Sequence, residues 1–158
     1  MHQTDEAATQ TAEAHVIPLR EMLCLALHRA SRAMTAQYRP LLAAHGITYP
    51  QYLVIALLHQ EGTLTVGGVG DELGLESSTL SPLLSRLAER GLVTRTRSTD
   101  DERRVEVSLT AEGRELGEQL EVVPFQVCQA TGLTPTQARE VVAQLSGLVD
   151  QLERAAAV

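Results

Sequence analysis

Residues 75–109, LESSTLSPLLSRLAERGLVTRTRSTDDERRVEVSL, limit what this chain can fold into more than any other stretch. Leu80, Leu83, Leu84 and Leu87 recur at helical spacing, Ser77 or Ser78 offers an N-cap and Gly91 a stop, so the pattern predicts a helix over 78–90. LVTRTRS and RRVEVSLT then alternate as strands do, and the polar turn STDDE joins them into a hairpin. A short one-sided helix followed by a hairpin must be held by other helices, because neither buries enough surface alone.

Those helices can be read on either side. IPLREMLCLALHRASRAMTAQYRPLLAAHG carries Leu19, Leu23, Leu27, Ala30, Met34 and Leu41 on one face. It predicts a long first helix opening at Pro18, kinked near Pro40 and closed by Gly46. Thr48 can cap a second helix, TYPQYLVIALLHQEG, apolar nearly all round and therefore a core helix. TVGGVGDELGL has the length of a short supporting helix, although Gly67, Gly68 and Gly70 each cost up to about 1 kcal/mol relative to Ala. Thr110 caps AEGRELGEQLEVV, Pro124 interrupts, and FQVCQATG runs to Gly132. Thr134 and Pro135 open the last helix, with Val141, Val142, Leu145, Leu148, Val149 and Leu152 on one broad face. Nothing remains downstream to cover that face, which predicts a partner subunit, with the first helix as its neighbour.

The expected fold is mainly α: a winged helix-turn-helix with a two-stranded β wing, and a helical dimerisation region from both termini. Residues 47–110 would form the DNA-binding region, and residues 16–46 and 111–158 the dimerisation region, in one structural domain. Residues 1–15 read as a disordered tail. The chain has no Trp and one Phe, a composition that favours helices over a sandwich or barrel. No apolar run reaches the roughly 20 residues needed to span a bilayer, and the N-terminal residues lack the basic start and apolar centre of a signal peptide. A cytoplasmic protein with no membrane partner is expected.

A formal net charge of −7 argues at first against a nucleic-acid partner. The distribution argues the other way. All 13 basic residues are arginines, and six of them (Arg86, Arg90, Arg95, Arg97, Arg103, Arg104) fall within residues 86–104. Less the four acids there (Glu89, Asp100, Asp101, Glu102), that window carries +2 and the remainder −9. Phosphates are met at contact distance and salt screens charges beyond about 10 Å, so the local balance governs. Ser77, Ser78, Thr79, Ser81, Ser85, Arg86 and Arg90 are left for the helix face opposite the leucines, where hydroxyls and arginines can meet base edges or phosphates in a major groove. Pro82 removes a backbone hydrogen bond that a purely structural helix has little reason to give up. Arg95, Arg97, Arg103 and Arg104 lie on or beside the wing, whose tip can reach a minor groove. A solvated hairpin with its arginines paired to Asp100, Asp101 and Glu102 is the blander reading; helix and wing together favour double-stranded DNA.

Helices flanking a helix-turn-helix and wing, with Asp101-Glu102-Arg103 in the wing, resemble the MarR family of homodimeric bacterial transcription regulators, over residues 18–155. Within it, LCLALHRASRAMTAQYRPLL, GITYPQYLV and STLSPLLSRLAERGLV resemble the organic hydroperoxide regulators, the OhrR subgroup, in its two-cysteine form. The resemblance implies that Cys24 is a peroxide-sensing thiol, that Tyr38 and Tyr49 support it by hydrogen bonding, and that Cys128 is a resolving thiol. The glycine-rich supporting helix is looser than that pattern. By position alone a buried core thiol is the better reading of Cys24. Geometry allows the other one: Cys24 lies at the edge of the apolar stripe, with Arg20 and His28 one turn to either side, where oxidants and a cation can both reach it. Tyr38 is 14 residues further on, roughly 21 Å along a straight helix, so a contact with Cys24 would need a second subunit or a bend.

The resemblance therefore implies a repressor, not an enzyme, that needs no cofactor or metal. An organic hydroperoxide, as inducer, would oxidise Cys24 to a sulfenic acid, a disulfide with Cys128 would follow, and the operator would be released. Rival readings are a MarR-type repressor released by a phenolic or carboxylate ligand, a metal sensor using Cys24, His28 and one of His15, His45 or His59, and a thiol peroxidase. Scattered histidines are a weak metal motif, and a peroxidase has no use for an arginine-rich wing.

Overall fold

The computed structural model describes residues 17–97 and 104–157; the predicted tail at 1–15 and the hairpin turn lie outside the described residues. The chain divides into two compact units, one ending at Ala33 and one beginning at Met34.

The expected first helix starts later than its sequence suggests. Leu19–Glu21 form a single 3-10 turn, Met22 is extended at ψ 124°, and helix α1 runs Leu23–Ala43 with Pro40 inside it. The amides of Glu21 and Met22 bond the carbonyls of Pro18 and Leu19, so the α-helical ladder opens only with Ala26 on Met22. Gly46, at φ 64°, turns the chain out of α1.

Helix α2 (Tyr49–Glu61) opens where Thr48 places it, the Thr48 amide donating to the Gln51 side chain at 2.9 Å. Its Tyr52, Val54, Ile55 and Leu58 are buried, as its apolar composition predicts. Strand β1 (Leu64–Thr65) follows, then α3 (Val66–Leu73), α4 (Ser77–Glu89), β2 (Val93–Arg97), β3 (Val105–Leu109), α5 (Ala111–Leu120), α6 (Val123–Ala130) and α7 (Pro135–Ala156).

The sheet is antiparallel in the order β1-β3-β2, with Val93 opposite Leu109, Arg97 opposite Val105 and Leu64 opposite Val107. The sequence predicts two of these strands. The third, β1, is two residues long, too short for any alternation to show, and exists because β3 offers it a free edge. Val107, at the centre, is fully buried.

One core joins Ile55 and Leu58 of α2, Val69 of α3, the leucines of α4, Val93 and Val107 of the sheet, and Leu120, Val123 and Val127 of α5 and α6. Each such side chain contributes roughly 1.5–3 kcal/mol by leaving water. Helix α5 comes close to the sheet only because residue 113 is glycine: a Cβ there would stand 2.0 Å from the Leu92 carbonyl oxygen. Helix α7 differs from the rest. It is capped at Thr134, whose hydroxyl accepts from the Gln137 amide, yet it has no buried residue, and Val142, Val149 and Leu152 are 63%, 49% and 59% exposed.

Candidate functional site

Two groups of predicted site residues come into view, one on α4 and the wing, the other around the tyrosines. Helix α4 buries Leu80, Leu83, Leu84 and Leu87, as its spacing predicts. The N-cap is Glu76, however, and neither serine: Glu76 is extended (ψ 148°), and its carbonyl accepts from the amides of Thr79 and Leu80. Ser77 and Ser78 fall inside the first turn with no capping bond, so their hydroxyls stand exposed beside Thr79 and Ser81. Arg86 is exposed on the same helix. Ser85 is half-buried; its hydroxyl donates back to the Ser81 carbonyl at 3.0 Å and receives Arg95 of β2 at 3.5 Å, a link between helix and wing.

Helix α3 supports α4 through one close approach. Gly70 is buried, and a Cβ on it would lie 2.9 Å from the Leu75 carbonyl oxygen in the turn between the two helices. The glycines that cost α3 helical propensity are thus not all idle: Gly70 lets the turn close, and Thr65 caps the helix by accepting from the Gly68 amide at 3.0 Å. Beyond the open side of Gly67, Arg95 and Arg104 border the same concave surface as Thr65 and Gly68. Asp71 lines the same surface, so the two arginines share it with a carboxylate.

Arg90 stands apart from the other arginines. Its guanidinium donates to the carbonyl oxygens of Gly46 and His45, at 2.5 and 3.1 Å, and ties the end of α4 to the turn after α1. Arg97 is exposed at the end of β2 and Arg104 at the start of β3, whereas Asp101 and Arg103 lie outside the described residues.

Cys24 lies in the first turn of α1 and is exposed. That position follows from the late start of the helix at Leu23. Arg20, one of its two expected cationic neighbours, approaches Glu21 at 3.9 Å; His28 is exposed.

The second unit gathers all three tyrosines of the chain. Ring centroids of Tyr38 and Tyr49 are 4.8 Å apart, those of Tyr38 and Tyr52 5.3 Å, and those of Tyr49 and Tyr52 6.2 Å. Burial is the largest cause that raises the proton affinity of each. It pushes Tyr52 up to about 12, with help from Tyr38 and Tyr49. Tyr38 is raised by burial, then by the negative forms of Tyr49 and Cys128, and is lowered by a hydrogen bond with Tyr52. At neutral pH all three are therefore neutral phenols able to donate. Half-buried Cys128, on α6, lies within the electrostatic reach of Tyr38. Sequence reasoning had no strong claim on Tyr52; its i to i+3 spacing from Tyr49 on a core helix was the available signal.

A supporting helix, a second helix with hydroxyls and an arginine on its outer face, and an antiparallel hairpin behind it define a winged helix-turn-helix. The MarR family model matches residues 47–105. The organic hydroperoxide resistance transcriptional regulator of Bacillus subtilis is 40% identical over 136 residues, covering 86% of this chain and 92% of that protein. The chain belongs to the MarR family of transcriptional regulators. Among solved structures, reduced AbfR bound to DNA, from Staphylococcus epidermidis, is 32% identical with a TM-score of 0.66, over 82% of this chain and 91% of that one. BpsR of Bordetella bronchiseptica, whose DNA binding is regulated by 6-hydroxynicotinic acid, is 26% identical with a TM-score of 0.77, over 85% and 97%.

Proposed function

We propose that the protein is a homodimeric repressor that binds operator DNA when reduced and releases it when an organic hydroperoxide oxidises Cys24, with Cys128 as the resolving thiol. The observation that carries this reading is the close packing of Tyr38, Tyr49 and Tyr52, with Cys128 among the charges that act on Tyr38, in a chain 40% identical to a hydroperoxide resistance regulator. Neutral phenols can donate hydrogen bonds to a sulfur anion that reaches them. On this reading residues 47–110 read DNA, and residues 16–46 and 111–158 form the dimer. The exposed apolar face of α7 supports the latter, since a patch of that kind on a small chain marks an interface.

DNA would be met by the N-terminal turns of α4 in the major groove, through Ser77, Ser78, Thr79, Ser81 and Arg86, with Arg95, Arg97 and Arg104 on phosphates or in the minor groove. Asp101 and Arg103 lie outside the described residues and are assigned to DNA binding from the sequence alone. Ser85 and Arg90 contribute by holding the helix in place.

The switch begins when the Cys24 thiolate attacks the distal peroxide oxygen. The O–O bond breaks, the alcohol leaves with a proton, and a sulfenic acid remains. Condensation with the Cys128 thiol forms the S–S bond and releases water. A disulfide requires Cα atoms within about 7 Å, so its closure pulls on the helices that carry the two thiols. Half-sites about one helical turn of DNA apart tolerate little displacement of one α4 relative to its partner. Such a protein uses one peroxide per switching event and is a regulator, not an enzyme.

A gel shift with a fragment from the upstream region of its own gene tests this, with and without cumene hydroperoxide, on wild type and Cys24→Ser. Binding by both proteins, lost on peroxide only in wild type, is the expected result. Release of Cys24→Ser by peroxide would put the sensor elsewhere. A second reading draws on a cleft of about 330 Å³ lined by Thr35, Arg39, Ile47 and Tyr49, where a guanidinium beside apolar walls suits a small aromatic carboxylate. Release by such acids, unaffected by Cys24→Ser, would favour it.

A further inference from the structure

Neither core packing nor capping accounts for Pro82 on α4. It sits in a helix that opens at Ser77, past the first turn where proline is tolerated, and it is exposed. At 100° per residue, Ser78 and Pro82 lie within about 30° of the direction opposite the leucine stripe, one turn apart. Glu89 shares that direction two turns further on, away from the end that enters a groove. Proline carries no amide hydrogen, so the Ser78 carbonyl lacks the donor that residue 82 of a regular helix would give it. The Ser81 carbonyl, by contrast, accepts the Ser85 hydroxyl at 3.0 Å. The outer face of α4 thus presents an acceptor and, next to it, an apolar ring.

The rest of this face is short. Ser77, Thr79 and Ser81 surround the pair, Arg86 is the one long donor, and the helix carries no Asn, Gln or Lys. Short side chains let the helix backbone come close to base edges, and without Asn or Gln an adenine cannot be read by the usual bidentate pair. In the major groove an A·T pair presents a donor, the adenine N6 amine, together with a methyl group, on C5 of thymine. A G·C pair offers a donor without the methyl.

We propose that Pro82 and the Ser78 carbonyl read one A·T pair in each half of the operator: the proline ring packs on the thymine methyl, and the carbonyl accepts from the adenine amine. The proposal rests on DNA binding by α4 and is independent of the cysteine chemistry. It gives Pro82 a specificity role that offsets its cost to the helix. Arg86 stands one turn beyond Pro82, about 5.4 Å along the axis, and so meets a base pair one or two steps away at about 3.4 Å per step.

Selection from a pool of duplexes of random sequence, by reduced full-length protein without peroxide, tests this. Wild-type half-sites should share an A·T pair, and Pro82→Ala should select the same half-sites with that pair relaxed. On the selected duplex, uracil in place of that thymine removes the methyl alone. By fluorescence anisotropy it should weaken wild type about fourfold per half-site, the effect of leaving one methyl group in water, and Pro82→Ala by less than about 1.5-fold. Nebularine, which is adenine without its amine, should likewise weaken wild type more than Pro82→Ala. In the variant the restored amide takes the Ser78 carbonyl back into the helix, so its melting temperature should be no lower than that of wild type. Uracil that leaves wild type unaffected overturns the proposal, whatever the stability of the variant. So does a selected A·T pair, or a uracil effect, that persists in Pro82→Ala, which would pass the methyl contact to Thr79 and leave DNA binding by α4 standing. If wild type selects no sequence at all, operator reading falls and the proposal with it.

Discussion

Arg90, the C-cap of α4, donates to the carbonyl oxygens of His45 and Gly46, and so anchors α4 to a turn 45 residues away in sequence. Its neighbour in the arginine run, Arg86, makes no such bond within the described residues and faces solvent. The two arginines therefore separate by role. Arg90→Ala should lower unfolding stability by about 1–2 kcal/mol, the range for a charge-assisted bond whose acceptors lose their partner. Arg86→Ala should leave stability within about 0.5 kcal/mol of wild type and weaken operator binding by about 1–3 kcal/mol. Urea titration and fluorescence anisotropy, run on both variants, measure this; equal loss of stability in both would refute it.

Gly67 and Gly70 lie three residues apart on α3 and predict opposite outcomes. A methyl group at 67 meets nothing within 4 Å, whereas at 70 it would stand 2.9 Å from a backbone oxygen. Gly67→Ala should stabilise by about 0.5 kcal/mol through a less flexible unfolded chain. Gly70→Ala should destabilise by more than about 1 kcal/mol, because backbone has to shift. Thermal melts that rank the two the other way would show that the turn between α3 and α4 is more yielding than its geometry indicates.

Alkaline pH should unfold the protein through its tyrosines. Folded Tyr52 holds its proton to about 12, against 10.0 for an ordinary tyrosine. Between those values the unfolded chain binds fewer protons than the folded one, so the contribution of Tyr52 is fully present below pH 10 and is lost as pH rises toward 12. A slope of about 1 kcal/mol per pH unit is expected in that window, shallower in Tyr52→Phe. The chain has no Trp and three tyrosines, all in this cluster, so absorbance at 295 nm reports the same groups directly.

Oligomeric state should depend on α7. Leu145 and Val149 are 42% and 49% exposed on its apolar side. Replacing both by Asp should give a monomer by sedimentation velocity and reduce operator affinity at least about tenfold, because each half-site would then be bound alone. A variant that stays dimeric would move the interface off α7.

Much of this architecture is local and can be read from the chain. The leucine stripe of α4, the alternation in β2 and β3, and the threonines that cap α2, α5 and α7 depend on neighbours within a few residues, and each lies where its spacing puts it. The family, too, is legible in motifs of this kind. What sequence could not supply was every decision made between distant segments. The pairing that creates β1 needs the edge of β3, some 40 residues on, and the use of Arg90 needs the carbonyls of residues 45 and 46. Gly70 and Gly113 look like weak points in helices until the backbone that approaches them is known. The start of α1 at Leu23, which puts Cys24 in a first turn, depends on a 3-10 turn that Leu-Arg-Glu-Met does not call for by propensity. The packing of Tyr38 against Tyr49 and Tyr52 joins α1 to α2. Sequence by itself determined which helices and strands this protein can form, because hydrophobic period and caps act over one or two turns. Only the tertiary structure decided which polar groups meet, because hydrogen bonds and close contacts are settled at ångström range by segments far apart in the chain.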